Sequence, residues 1–373
     1  MVKILDRFVF FLNILACLAL LLAYLSPFIN PARVFFPALF GLAYPLILLS
    51  HLIFISYWLF RLKKQIFLSL VLILLGWNHL AGLSPLHTKQ SKQEAACSGE
   101  TQLSAMSYNV RGFGIFMDND SSRRNLIAEE VHRQRPDILC LQEYFSKNHK
   151  GIRHIDHVQT IGMPYSAVFS SGSRSKHDGA GVATFSRYPI VKTTRIPFNT
   201  YGNAAMYNDI KIGQDTIRVF NLHLQSIRFR QENMAFMDTL RLKYSNKQIE
   251  EIRSIGLRLK IAFVNRAEQA DMIANYIREA PYPVLVMGDF NDTPQSYAYR
   301  RVKKGLRDSF RRSGRGFGNT YAGKSLPSLR IDHILFGRGF ESLQCHRIKT
   351  DLSDHYPVIA SFCRTGRPLK TEP

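Results

Sequence analysis

Three apolar runs crowd the first 84 residues and leave little room for a wholly water-soluble fold: Phe8 to Leu25, Val34 to Phe60 and Ile66 to Leu83. Each reaches the ~18 residues needed to cross a hydrocarbon core of ~30 Å. The chain is 46% hydrophobic over 373 residues, too much for one ordinary soluble domain, and the excess sits here. A cleaved signal peptide would explain the first run, since Lys3 and Arg7 resemble a charged n-region, but not the other two. The pattern predicts three transmembrane helices, with Pro37 and Pro45 tolerated inside the second. Lys3, Arg7, Arg61, Lys63 and Lys64 would share one side of the membrane, with Arg33 alone on the other. That bias puts the first group in the cytoplasm. The expectation is a multi-pass protein of the cytoplasmic (inner) membrane whose remaining residues form an extracytoplasmic domain.

Residues 85–102 are polar, lack periodicity and read as a tether; 103–365 suit one large domain and 366–373 a tail. The formal charge of +21 is uneven: residues 1–100 hold 8 basic and 3 acidic side chains, leaving +16 on the outward part. Such a surplus favours an anionic partner, whether nucleic acid, an acidic lipid surface or a phosphorylated small molecule. A merely solvated face with spare lysines is the plainer alternative. Cys345 and Cys363 are candidates to pair in an oxidising compartment, and no CxxC or His/Cys cluster points to zinc.

Beyond the tether, short apolar or β-branched runs recur: 103–110, 137–141, 167–170, 181–185, 206–212, 216–224, 284–288, 331–336 and 358–362. Helical patterns intervene at 121–134 and over a long stretch from about 228 to 279. About ten strands mixed with helices predict an α/β domain with two sheets. The basic, amphipathic insert at 226–262 has three readings: a cap on a substrate groove, a membrane-surface element, or helices packed on the core.

Polar residues fall where these strands end. "SYNVRG" carries Asn109, "LQEY" Glu143, "NLHL" His223, "GDFND" Asp289 and Asn291, "RIDH" Asp332, and "SDHYP" Asp354 and His355. Each alone has a structural explanation, as a turn former, a cap or a satisfied core histidine. Gathered on one rim, strand ends form the usual floor of an α/β site. Asp289 and Asn291 are two apart, so an extended chain points both to one side. There, a carboxylate can deprotonate water while an amide donates to a non-bridging oxygen. Asp354 and His355 are adjacent and should serve different partners. Glu143 and Asn109 offer hard oxygen donors of the kind Mg²⁺ prefers.

The ordered set "YNVRG", "LQE", "NLHL", "GDFN", "RIDH" and "SDHYP" resembles the endonuclease/exonuclease/phosphatase superfamily, from about Leu103 to Phe362. The resemblance implies a four-layer sandwich of two mixed β-sheets flanked by helices, which cleaves phosphoester bonds with Mg²⁺ (or Mn²⁺). It assigns the metal to Glu143 with Asn109, and to Asp354 nearby. Asp289 would activate the attacking water and Asn291 would hold the phosphate. His355, paired with Asp332, would stabilise the transition state, and His223 would stand on the leaving-group side. Arg111 departs from the pattern, standing where some repair nucleases of the group carry an acidic metal-site residue. The acidic partner of His223 is open, with Asp178 as one candidate; Arg266 and Arg330 fall outside the catalytic set. The expected function is a membrane-anchored, metal-dependent phosphodiesterase of nuclease type. The alternatives are a phospholipid headgroup hydrolase (sphingomyelinase or phosphoinositide phosphatase type) and a catalytically silent binding module.

Overall fold

A computed structural model describes residues 2–85, 102–114, 121–145, 162–170, 180–200, 202–227, 246–323 and 328–364. Most of the tether, the tail, Asp178 and the insert's Arg228, Arg230, Arg241 and Lys243 lie outside the described residues. The chain divides into two compact units. One gathers Met1–Ser84, Ile227–Ala270 and Asp292–Arg301; the other gathers Pro85–Ser226, Asp271–Asn291 and Val302–Pro373.

The first unit corrects the expectation of three unbroken membrane helices: among the described residues one continuous helix has the length and apolarity to cross, and three spans result only if each of two bent pairs is one span. Helix α1 (Val2–Leu25) runs on through a tight turn, and Lys3–Phe28 is the one continuous helix, among the described residues, long and apolar enough to cross a membrane. The second apolar run is a pair, α2 (Phe36–Leu42) and α3 (Tyr44–Phe60), bent by 67°. Pro45 opens α3, where its missing N–H costs nothing; it marks the break rather than being tolerated inside a helix. The third run is α4 (Ile66–Leu75) and α5 (Trp77–Leu83), bent by 73° at Gly76. A Cβ on Gly76 would meet the Tyr24 hydroxyl at 2.0 Å, and that hydroxyl donates to the Leu72 carbonyl at 3.1 Å. At ~1.5 Å per residue, α4 alone is too short to span. Buried polar bonds join these helices: Asn13 donates to Ser69 (2.8 Å) and Trp58 to Asn13 (3.1 Å), while His51 Nδ1 meets Ser69 at 2.9 Å.

The insert's described part is one helix, α7 (Asn246–Arg278), which follows α6 (Ser121–Gln134) in the chain. Up to Ala270 it belongs to the first unit. One side buries Ala262, Phe263, Ala267 and Ala270, while Ile249, Ile252, Leu257 and Ile261 are each at least half exposed.

The second unit holds two six-stranded sheets. The first has the order β11-β12-β1-β2-β4-β3, with β1 at Gln102–Asn109, β2 at Ile138–Phe145, β3 at Tyr165–Ser170, β4 at Ala180–Ser186, β11 at Phe340–Arg347 and β12 at Val358–Arg364. The second has the order β5-β6-β7-β8-β10-β9, with β5 at Ile190–Ile196, β6 at Ala204–Ile212, β7 at Asp215–His223, β8 at Val284–Asp289, β9 at Arg307–Asp308 and β10 at Asp332–Phe336. Each is mixed: β1 and β2 run parallel, as do β7 and β8, and their other pairings are antiparallel. Leu103, Ala105, Ile138 and Cys140 of the first sheet meet Val219, Leu285, Met287 and Ile334 of the second in the main core. The alternate residues Met106, Tyr108, Leu139 and Leu141 pack with Ile127 and Val131 of α6. Strands buried on both faces read as unbroken apolar runs, which is why "DILCL" and "VLVM" are so easily seen. Cys345 is free and Cys363 is disulfide-bonded to a partner outside the described residues, so the expected pairing of these two is corrected.

Candidate active site

The central parallel strands of both sheets end at the same group of polar side chains. Asn109, the last residue of β1, donates through Nδ2 to Glu143 (3.2 Å) and to Asp289 (3.0 Å). Glu143 leaves β2 at a bulge between Gln142 and Tyr144, with φ +50. The extra residue breaks the alternation and aims the carboxylate along the rim. His223 and Asp289 face each other on the last rung of β7 and β8, with Nε2 3.8 Å from Oδ2, and the same Nε2 is 3.7 Å from Glu143. Gly288 makes this approach feasible. Its φ is +148, and a Cβ there would stand 2.0 Å from the Leu222 carbonyl oxygen.

Asp289 and Asn291 do meet, but through a turn rather than the extended chain expected. Asn291 has φ +51; its backbone N–H donates to Asp289 Oδ1 at 2.7 Å and its Nδ2 to Oδ2 at 3.1 Å. The same amide also donates to the Leu224 carbonyl at 3.0 Å. Phe290 between them is fully buried, edge-on to His333. Opposite Asp289 in the antiparallel register stands Asp332, whose Oδ2 lies 2.9 Å from His355 Nδ1. His355 Nε2 lies 3.8 Å from Asp289. Asp289, Asp332 and His355 bring ligand-type atoms within 4.8 Å of one another.

Charge governs the site. Burial raises Asp289 to about 6; Asp332 adds to the rise, while His355, His223 and Asn109 oppose it. Glu143 is raised too, by burial and by the Asp354 carboxylate. Burial alone would lower His355, but Asp332 and Asp289 outweigh it and raise the imidazole to about 10. Burial more than repulsion holds both carboxylates above their ordinary range, and a divalent cation placed beside them would favour their ionised forms. The donors present fit one: a hard carboxylate at Glu143 beside an amide at Asn109, the kind of partial set Mg²⁺ completes with water and phosphate.

Seven of the eight residues expected from the sequence therefore lie in one network. Asp354 lies beside it, close enough to raise Glu143, but bonds to Arg111 in an ion pair while its neighbour His355 joins Asp332, so the adjacent pair does serve different partners. Arg330 pairs with Asp308 (2.8 Å) and Arg266 with Asp292 (3.0 Å), all buried, as scaffold ion pairs. Sequence reasoning missed two residues. Asn221 lies between the sheets, accepting from Gln142 (2.8 Å) and donating to the Ala183 carbonyl (2.9 Å). Its position two before His223 on β7 was the available signal. Tyr321 sets its ring edge-on to His355 at 5.4 Å and pairs with it as an isolated bridge, a contact no spacing in the sequence announces.

Two mixed sheets flanked by helices, with carboxylates, amides and two histidines at their shared rim, define a phosphoester hydrolase. Residues 106–355 match the sequence model of the Endonuclease/Exonuclease/phosphatase family, and the chain belongs to that family, whose members hydrolyse phosphoester bonds and are generally dependent on divalent metal. Residues 6–83 match a second family model, Domain of unknown function (DUF8431). No curated protein matches the chain. Among solved structures, an endonuclease/exonuclease/phosphatase from Beutenbergia cavernae is similar at 16% identity and TM-score 0.52, covering 72% of this chain and 73% of that one. ANGEL2, a 2',3'-cyclic phosphatase, is similar at 17% identity and TM-score 0.52, over 71% of this chain and 96% of its own. The human nocturnin catalytic domain gives 17% identity and TM-score 0.50, over 71% and 94%. These likenesses establish the fold.

Proposed function

We propose that the protein is a membrane-anchored, divalent-metal-dependent phosphodiesterase of nuclease type. The observation that carries this reading is the Asp289 carboxylate, held by Asn109 and Asn291 and faced by His223 and His355. Mg²⁺, or Mn²⁺, when held by Glu143 with Asn109, would polarise the phosphoryl group and offset its charge. Asp354 would join that set by exchanging its pairing with Arg111. Asp289 takes a proton from the attacking water as the water oxygen bonds to phosphorus. Asn291 keeps that carboxylate oriented, and the Nδ2 donor it gives to Asp289 would turn to a non-bridging oxygen once the carboxylate has taken the proton. His355, kept protonated by Asp332, stabilises the developing charge, and His223 passes a proton to the leaving oxygen as the ester P–O bond breaks. A silent binding module would have no use for this division of labour.

The surplus of +16 beyond residue 100 supports a nucleic acid substrate, as does ANGEL2, whose structure holds an adenosine-2',3'-vanadate. A second reading, hydrolysis of phospholipid headgroups, draws support from the exposed Ile249, Ile252, Leu257 and Ile261, which share a compact unit with the apolar N-terminal helices. An extracytoplasmic domain agrees with the Cys363 disulfide, since such bonds persist in oxidising compartments. If each bent pair crosses the membrane once, a periplasmic reporter fused after Ser84 is expected to be active and one fused after Lys64 silent; activity at both points fits a single crossing by α1, and silence after Ser84 overturns the orientation. The test of function is the full-length protein in phospholipid nanodiscs with Mg²⁺, assayed on DNA, RNA, phosphoinositide and sphingomyelin. Cleavage of DNA or RNA that weakens with salt is expected. Cleavage of lipid alone overturns the nuclease reading, and no metal-dependent turnover on any of the four overturns both.

A further inference from the structure

The segment that directly follows Asn291, Asp292–Arg301, belongs to the compact unit of the N-terminal helices. Within that unit it is fastened at several points. Gln295, 1% exposed, spends its whole side chain on one residue of α5: Oε1 accepts from His79 Nδ1 at 2.5 Å and Nε2 donates to the His79 carbonyl at 3.2 Å. His79 in turn stacks on Tyr24 at 4.7 Å and leans on Tyr44 at 6.4 Å. Gly41 of α2 backs onto the segment so closely that a Cβ there would stand 2.7 Å from the Gln295 carbonyl oxygen. The Arg300 guanidinium covers the Phe28 ring at 3.9 Å. Asp292 is tied to Arg266 of α7 at 3.0 Å, with both side chains buried.

An anchor needs an apolar surface and a tether. It does not need a half-buried, two-bond contact with a residue 216 positions later. That contact has another use. Asn291 holds φ +51, a conformation that costs a non-glycine residue free energy and persists only where the surroundings fix it from both sides. Bonds to Asp289 and the Leu224 carbonyl hold Asn291 on the β8 side, and the chain then passes directly into the Asp292–Arg301 segment.

We propose that the N-terminal helical unit is a positioning element of the hydrolytic site, acting through the His79–Gln295 pair on the segment that continues from Asn291. The proposal rests on the reading of Asp289 and Asn291 given above. His79 and Gln295 touch no reacting group and act by holding the turn at Asn291. The DUF8431-matching region is, on this view, part of the enzyme as well as its attachment.

The experiment uses the full chain in nanodiscs with saturating Mg²⁺ and bis(p-nitrophenyl) phosphate, or the phosphodiester selected by the substrate panel. Gln295→Ala and His79→Ala should each lower kcat about tenfold with KM changed less than about twofold, within the ~10²-fold that a 1 Å misplacement can cost. The double variant should lose no more than the worse single, because both break one link. The only two tryptophans, Trp58 and Trp77, lie in the helices, so their fluorescence melting reports that unit directly. The losses should persist at temperatures well below that melting transition. Gly41→Ala, which pushes on Ser26 Oγ (2.3 Å) and on the Gln295 carbonyl (2.7 Å), should lower kcat likewise and carries the test if His79→Ala does not fold. Wild-type kcat in Gln295→Ala, additive losses in the double variant, or losses seen only near melting would overturn the proposal. Asp289→Asn is assayed alongside: wild-type turnover there removes the underlying reading, whereas an inactive Asp289→Asn beside a fully active Gln295→Ala removes this proposal alone.

Discussion

The two sheets are built to one plan and bring different side chains to the rim. Each has a central parallel pair, β1 with β2 and β7 with β8, and each pair ends at the common rim. The first sheet delivers Asn109 and Glu143, oxygen donors suited to a cation; the second delivers His223 and Asp289, groups suited to moving protons. A bulge sets Glu143 and a side-chain-free glycine sets Asp289, so the two sheets reach the rim by different backbone devices. The difference teaches that repeated topology fixes where side chains gather, while local backbone irregularity decides what they do.

That division predicts two separable kinds of defect. The largest effect belongs to the second sheet. Asp289→Asn should lower kcat by on the order of 10² or more at saturating metal. The domain should stay folded, because burial already disfavours the charged carboxylate, with a modest fall in melting temperature where the amide nitrogen replaces an oxygen that accepts from Asn109 or Asn291. Near-wild-type turnover in purified enzyme would break the comparison. In the first sheet, Glu143→Gln should chiefly raise the Mg²⁺ concentration needed for half-maximal rate, and chelator should abolish activity in the parent; a metal titration that superimposes on wild type would refute the assignment.

The pH profile sharpens the same contrast. Asp289 must be ionised to accept a proton, and its acid form is favoured up to about 6, so kcat/KM should rise with pH through that region. His355 must stay protonated, and with its imidazole raised to about 10 the rate should fall only on that alkaline side. The stability linkage has the matching sign: a histidine raised in the folded state contributes stability fully below its ordinary pKa near ~6.5, lost as pH climbs through about 10. His355→Ala should remove the alkaline limb and leave the acid one; a profile with both limbs intact would be the contrary result.

The smallest expected effect is at the contact between the sheets. Asn221→Ala strands Gln142 and the Ala183 carbonyl in a dry interior, which should cost ~1–3 kcal/mol. Calorimetry should show a lower melting temperature, with kcat at 25 °C reduced by less than about tenfold. A larger catalytic than thermal effect would mean the contact aligns the rim rather than merely joining the sheets.

How much of this was legible in the sequence depends on what kind of force set each feature. Nine of the twelve strands announce themselves because burial on one or both faces demands apolar runs. The strands at Ile190–Ile196, Arg307–Asp308 and Phe340–Arg347 do not, since edge strands carry Lys192, Arg195, Glu341 and Gln344 among few core residues. The site residues stood out because a polar side chain closing an apolar run has few structural reasons to be there. The bends in the second and third apolar runs were hidden, because hydropathy counts residues and ignores how Pro45 or the Tyr24–Gly76 approach redirects an axis. Gln295 was invisible for a plainer reason: its partner is separated from it by 216 residues.

The bulge at Glu143 has one more consequence, for how such a protein would lose its chemistry over generations. Two residues of β2 stand where β4 offers one, and the ladder resumes with Tyr144 opposite Gly181. Deleting that single codon would restore an unbroken ladder in which Gln142 pairs with Val182 and Tyr144 with Gly181 in regular succession. The lineage would keep a well-formed fold and forfeit its proposed cation ligand in one step. At this position the length of the chain, and not only the letter written there, carries the enzymatic trait.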